Sequence, residues 1–149
     1  RCLIVDDRLV AYAAASPETT FELPAKFCVR FIDDYAFDSS WNLETVVLPE
    51  GVEVINKAAF ANCGNIQKLV LPSTLLSINT SALRDCGRAD GNGYDIYCKA
   101  KNPPAVNDDG TVGVDIEKVK LHIPVGCTAA YLSDRFWSRV EAIIEERDL

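Results

Sequence analysis

The chain has no methionine, a single histidine and only two tryptophans among its 149 residues. With no initiator, it is expected to be a processed protein or a fragment of a longer chain, with more protein upstream. The lone imidazole, His122, limits the chemistry, because any Ser/His or Cys/His centre must use it. Nothing beside it in sequence suggests an orienting carboxylate or an oxyanion hole, so it is read as a surface-facing strand residue. No apolar run approaches the ~18 residues of a membrane helix, and no transmembrane segment is expected. Nor is there a long run of Lys or Arg. With a formal net charge of −7, nucleic acid is excluded as the expected partner, since phosphate binding wants a basic surface.

Six cysteines are present (Cys2, Cys28, Cys63, Cys86, Cys98, Cys127), but no C-x-x-C pair. A zinc site needs paired ligands at close spacing, so none is expected. Glu141, Glu145 and Glu146 read as the solvated face of a terminal cap rather than as a glycosidase pair. Asp90, Asn92 and Asp95 lie in a Gly/Asn-rich stretch without the twelve-residue EF-hand spacing, which favours a plain turn over a Ca²⁺ loop. The chain is accordingly read as non-enzymatic, with no cofactor and no metal.

What the sequence does have is a period. In steps of 23 residues, Ile32, Ile55 and Ile78 share a column, as do Ala36, Ala59 and Ala82. Phe37, Phe60 and Leu83 follow directly, Leu43 aligns with Ile66, and Cys63 and Cys86 align with Ser40. Residues 48–71 (LPEGVEVINKAAFANCGNIQKLVL) hold one complete unit. A fixed period in the twenties marks a solenoid, whose units bury their apolar faces only by stacking. Cys63 and Cys86 then sit on neighbouring rungs and are read as buried free thiols, behaving as small hydrophobes. The pairing of the other four is left open.

Each unit carries an apolar-x-apolar segment, ending in Leu23, Leu48, Leu71, Cys98 and Ile123 at spacings of 25, 23, 27 and 25. Such alternation is a short strand, and a following Pro ends it by withdrawing an N–H. The pattern predicts five short parallel strands in one curved sheet. Asp33, Asn56 and Asn79 stand where they could cap short helical turns on the opposite side. Residues 2–13 (CLIVDDRLVAYA) predict a β-hairpin turning at Asp6-Asp7, which covers the first repeat. The third unit is longer after Cys86 (GRADGNGYD, including Arg88), and the fourth has Pro103-Pro104 and Asn107-Asp108-Asp109-Gly110 in place of the helical motif. A short helix near TAAYLSD, with Trp137, Val140 and Ile143, is expected to seal the end. The expected organisation is one domain over 1–149: hairpin cap 1–20, repeats 21–98, degenerate repeat and C-terminal cap 99–149.

The repeat N-L-x-x-V-x-L-P-x-x-V-x-x-I-x-x-x-A-F-x-x-C resembles the BspA-type leucine-rich repeat, common in surface proteins of gut and oral anaerobic bacteria. The stretch from DYAFDSSWNLETVVLPEG to LVLPSTLLSI matches it almost column by column. LIVDDRLVAY is similar to the hairpin that often precedes such repeats, and IYCKAKNPPAV with LHIPVGCTAAYLSDRFW to their closing segment. Leu83 for the usual Phe, the long loop after Cys86 and a missing Leu between Arg88 and Ile96 depart from the pattern.

The resemblance implies a leucine-rich-repeat solenoid in a secreted or surface-anchored bacterial protein, extracellular or at the cell surface. It implies adhesion to a host or extracellular-matrix protein, or to a glycan, by an expected monomer. Strand alternation directs Glu22, Val47, Val70, Tyr97 and His122 outward from the sheet, with Thr20, Thr45, Lys68, Asp95 and Lys120 two positions earlier. Solenoids bind through such faces, so Val47, Val70, Tyr97, His122, Lys68 and Lys120 are the expected ligand-binding residues. The competing expectation is a structural spacer or cap that presents an upstream region and has no ligand of its own. An enzyme built on His122 ranks third.

Overall fold

The computed structural model describes residues 1–87, 89–107 and 116–149. Arg88 and the Asp108-Asp109-Gly110 stretch named above lie outside them. The N-terminal hairpin forms as expected, with β1 (Cys2–Val5) antiparallel to β2 (Arg8–Tyr12) across a turn whose Asp6 has φ 54°. Asp tolerates this left-handed conformation better than most residues.

From there the chain climbs in rungs, each with a longer strand on one side and a two-residue strand on the other. The first rung holds β3 (Thr20–Glu22) and β4 (Phe31–Ile32), the second β5 (Thr45–Val47) and β6 (Val54–Ile55). The third holds β7 (Lys68–Leu71) and β8 (Ser77–Ile78), the fourth β9 (Asp95–Cys98) and β10 (Ala105–Val106). A fifth longer strand, β11 (Lys120–Pro124), leads through the helix α1 (Thr128–Leu132) to β12 (Ala142–Glu146).

The longer strands form one parallel sheet in the order β3, β5, β7, β9, β11, β12. The five strands expected from the apolar-x-apolar segments are all there. A sixth is added by β12, inside the segment read as a sealing cap. Trp137 does seal the end: it is fully buried, and its Nε1–H donates to the Pro104 carbonyl at 2.9 Å. Val140 and Ile143 pack on the same core.

The return side carries a second ladder. Here β2 pairs with β4, and β4, β6, β8 and β10 follow in parallel, with Ile32, Ile55 and Ile78 as a buried column. The segments beyond them are turns, not helices, because their N–H groups are taken elsewhere. Tyr35, Phe37 and Ser39 donate to the Lys57, Ala59 and Ala61 carbonyls of the next rung at 2.8–3.0 Å. Ala58, Phe60 and Asn62 do the same to Thr80, Ala82 and Arg84. The residues between them bond three positions back, as Ala36 N–H does to Asp33 O. An α-helix needs every N–H for its own chain, and here alternate ones leave the rung. The first and third of each three, Tyr35 and Ser39, Ala58 and Asn62, sit at positive φ to aim them.

Asn56 and Asn79 therefore cap nothing. Asn79 Nδ2 donates to Asn56 Oδ1 at 2.9 Å and Asn107 Nδ2 to Asn79 Oδ1 at 2.7 Å, a side-chain ladder running up the stack. Asp33, in the same column, pairs with Arg8 of the hairpin.

The core lies between the two ladders. Tyr12 stacks on Phe37 with centroids 5.2 Å apart, and Phe37 on Phe60 at 4.7 Å, so the hairpin joins the aromatic column it covers. Ala36, Ala59 and Ala82 are buried beside it, small enough to let rungs approach. Phe60→Ala would leave a cavity between two rungs that the rigid spacing cannot close. The expected loss is roughly 3–5 kcal/mol, the usual cost for a buried aromatic, read from the urea midpoint of the purified chain.

Candidate functional site

Parallel pairing with no register shift brings equivalent residues into straight rows on the outer face of the longer sheet. One row runs Glu22, Val47, Val70, Tyr97, His122 and Ile144; the next runs Thr20, Thr45, Lys68, Asp95, Lys120 and Ala142. Every residue expected on this face from strand alternation lies in its expected row. Neighbours in a row are one strand apart, ~4.8 Å, close enough for outward side chains to cover one another.

That covering is pronounced at the C-terminal end. Val70 is only 8% exposed and His122 only 7%, although both point away from the core; Val47 and Tyr97 are half-buried, and Lys68 and Lys120 are exposed. The Tyr97 and His122 rings stack with centroids 4.0 Å apart and planes 6° from parallel. The Lys68 ammonium lies 4.7 Å from the Tyr97 centroid. A cation over an aromatic face gains ~0.5–1 kcal/mol at an exposed site.

Both nitrogens of His122 meet carboxylates, Nε2 with Asp95 Oδ2 at 3.0 Å and Nδ1 with Glu146 Oε1 at 2.7 Å. A neutral imidazole has one N–H to give and the imidazolium two, so only the cation serves both acceptors as a donor. Burial, with the charges of Asp95 and Glu146, pushes the Tyr97 phenol up from its ordinary value, and it stays protonated. His122 thus ties β11 to β9 and to β12, and among the described residues its hydrogen-bond partners include no hydroxyl or thiol that it could activate.

Two readings of the carboxylates change. Glu146 is bound to His122, and Glu145 accepts from Gly126 N–H at 3.0 Å and Thr128 Oγ1 at 2.8 Å. The Thr128 hydroxyl, then the Gly126 and Thr128 amides, hold the Glu145 carboxyl below its usual range. Of the three cap acids, only Glu141 is a plain solvated residue. β12 lacks the Pro that closes β3, β5, β7 and β11, so the sequence does not mark it as a strand. Strand alternation already places Asp95 on this face; its pairing with His122, 27 positions away, is what the structure adds.

In the loop after Cys86, Asp90 Oδ1 accepts the Asn92 N–H at 2.9 Å, while Asp95 is held on the sheet by His122. The two carboxylates do not converge. Gly93, at φ +77°, approaches so closely that a Cβ there would stand 2.1 Å from the Lys118 carbonyl oxygen. The turn needs that glycine. Among the described residues no cluster of His, Cys, Asp and Glu could hold a metal ion, and no helix is long and apolar enough to cross a membrane.

All six cysteines are free thiols. Cys63 Sγ donates to the Phe37 carbonyl at 3.0 Å, and burial pushes its thiol up to about 12. Burial likewise raises Cys86 and Cys98. The thiolate is the reactive form, so these three should resist a thiol reagent at pH 8. Ellman titration is expected to label exposed Cys28 first, then half-buried Cys2 and Cys127, and to reach the rest only in urea.

Residues 12–90 match six copies of the BspA type leucine rich repeat region. None of the curated proteins compared with the chain matches it. Among solved structures, a leucine-rich repeat protein from Eubacterium ventriosum superposes with a TM-score of 0.61 at 18% identity, covering 93% of this chain and 36% of that one. The pneumococcal vaccine antigen PcpA superposes with a TM-score of 0.52 at 18% identity, covering 95% of this chain and 45% of that one. At that identity the likeness shows the fold alone. The chain spans less than half the length of either.

Proposed function

Because the chain belongs to the BspA type leucine rich repeat family, we propose that it is a non-catalytic protein-binding module of a secreted or surface-anchored bacterial protein. Its partner is a host or extracellular-matrix protein, engaged on the outer face of the longer sheet. The observation behind this reading is the pair of unbroken rows crossing six strands, with exposed Lys68 and Lys120 beside half-buried Val47 and Tyr97. A rigid registered face loses little freedom on binding, which favours affinity. Val47, Val70, Tyr97, His122, Lys68 and Lys120 form the proposed contact area.

Within that reading, protein is favoured over glycan. Sugars are gripped by stacking on an open aromatic face, and Tyr97 has His122 on its ring and the Lys68 ammonium over it. What Tyr97 offers is an edge and a hydroxyl, which suit a polypeptide surface.

One observation favours a second reading, that of a spacer without its own ligand. The C-terminal half of the face is occupied by its own neighbours, with Val70 and His122 nearly covered. The two readings separate in a binding panel of immobilised matrix proteins, mucins and glycans, run with the chain and with a Val70→Glu, Tyr97→Ala variant confirmed folded by circular dichroism. Saturable binding to a protein, weakened roughly tenfold or more in the variant, is the expected result. Undiminished binding by the variant moves the site off this face, and no binding to any panel member supports the spacer.

A further inference from the structure

The rungs are not joined equally well along the edge where the longer strands end. Between the second and third rungs, Ser73 donates to Glu50 from its amide at 3.0 Å and its hydroxyl at 2.6 Å. Gly51 N–H reaches Thr74 Oγ1 at 3.0 Å, and that hydroxyl donates to the Val52 carbonyl at 2.8 Å. Outside them, Arg30 bridges Asp7 at 3.3 Å and Glu53 at 3.1 Å, two steps of one exposed column. The next step of that column is Leu76, and the ladder of charges stops there, with Leu76 64% exposed.

Between the third and fourth rungs the joints are only at the two ends of the segment, Lys99 N–H to Leu71 O at 3.0 Å and Ala105 N–H to Leu76 O at 2.9 Å. The stretch between them is held from the other direction. Tyr131 OH donates to the Ala100 carbonyl at 2.6 Å and Trp137 Nε1–H to the Pro104 carbonyl at 2.9 Å. The C-terminal cap thus draws residues 100–104 towards itself, and a cleft of about 300 Å³ opens against the third rung. Exposed Leu76 and half-buried Pro103 give it apolar surface over buried Leu75 and Ala100, and Lys99, Lys101 and Asn102 also line it.

The chemistry of that lining is one-sided. Among the described residues no lysine pairs with a carboxylate, and the cleft brings two of these amines together. Neither the Lys99 nor the Lys101 ammonium has a hydrogen-bond or ion-pair partner there. The Lys101 and Asn102 amide N–H groups also have no partner there. Ser73, which also lines the cleft, is engaged by the Glu50 carboxylate. Surplus donors beside an apolar patch complement a ligand that carries carboxylates next to aliphatic groups.

We propose that this cleft docks an acidic, aliphatic peptide segment of a partner protein. Lys99 and Lys101 receive its carboxylates, and Leu75, Leu76 and Pro103 receive an aliphatic side chain. The cleft is separate from the rows on the sheet face, and the proposal stands without the ligand face described above.

The probe is a fluorescein-labelled hexapeptide of alternating glutamate and leucine, titrated by fluorescence polarisation at low and high salt. Its counterpart of alternating lysine and leucine is the control. Saturable binding of the acidic peptide, weakening with salt, is expected. Lys99→Glu with Lys101→Glu, and separately Leu76→Asp, should each reduce affinity roughly tenfold or more. These side chains are at or near the surface, so the variants should remain folded. Lys57→Glu, at an exposed lysine on the return side, should bind as the parent does. The proposal is overturned if the acidic peptide does not bind, if the basic peptide binds equally, or if the cleft variants bind as tightly as the parent.

Discussion

Alternate N–H groups of each return segment, those of residues 35, 37 and 39 and again of 58, 60 and 62, find their carbonyls one rung further on. No rung can satisfy its own backbone, and an unpaired buried amide costs about as much as a lost hydrogen bond. The fold is therefore a property of the stack and not of the unit. The same constraint sets the turn geometry, since residues such as Tyr35 and Ala58 accept a left-handed backbone in order to aim those bonds. The strain of one residue, ~1–2 kcal/mol, is offset only where the next rung is in place. It also fixes the register, because a slip would unpair both ladders together.

Side chains repeat that logic with smaller energies. The asparagine at 107 donates one side-chain amide bond back to that at 79, and 79 to 56. The aromatic column of Tyr12, Phe37 and Phe60 runs parallel to them in the core. Where the pattern changes, the local chemistry changes too. Leu76 ends a column of charges, and residues 100–104 of the fourth rung are held by Tyr131 and Trp137 of the cap, while its strands stay paired with the third. His122 does a similar job on the other side, drawing β9, β11 and β12 together through two carboxylates.

The parts of this fold written as a period were readable from the sequence. Ile32, Ile55 and Ile78 announced one buried column and Phe37 with Phe60 another, and strand alternation placed Val47, Val70, Tyr97 and His122 in one row. The parts that depend on where a donor points were not. Asn56 and Asn79 look like helix caps because a cap and a ladder ask for the same short amide, and only the neighbouring rung distinguishes them. The strand at Ala142–Glu146 lacks the closing Pro and follows a short helix, so its pairing beside β11 left no local mark. With it went the partner of His122, since Glu146 is 24 positions away in sequence.

The bonds that join rungs run along the long axis of the stack. Tension on the two ends would load each bond in the direction in which it breaks, and the rungs would part in succession instead of resisting together. A freed rung of 23 residues adds about 75 Å of extended chain. Under load, then, the molecule is an extensible tether that lengthens in steps of one rung. Its stiffest points lie where a side chain such as His122 fastens three strands at once.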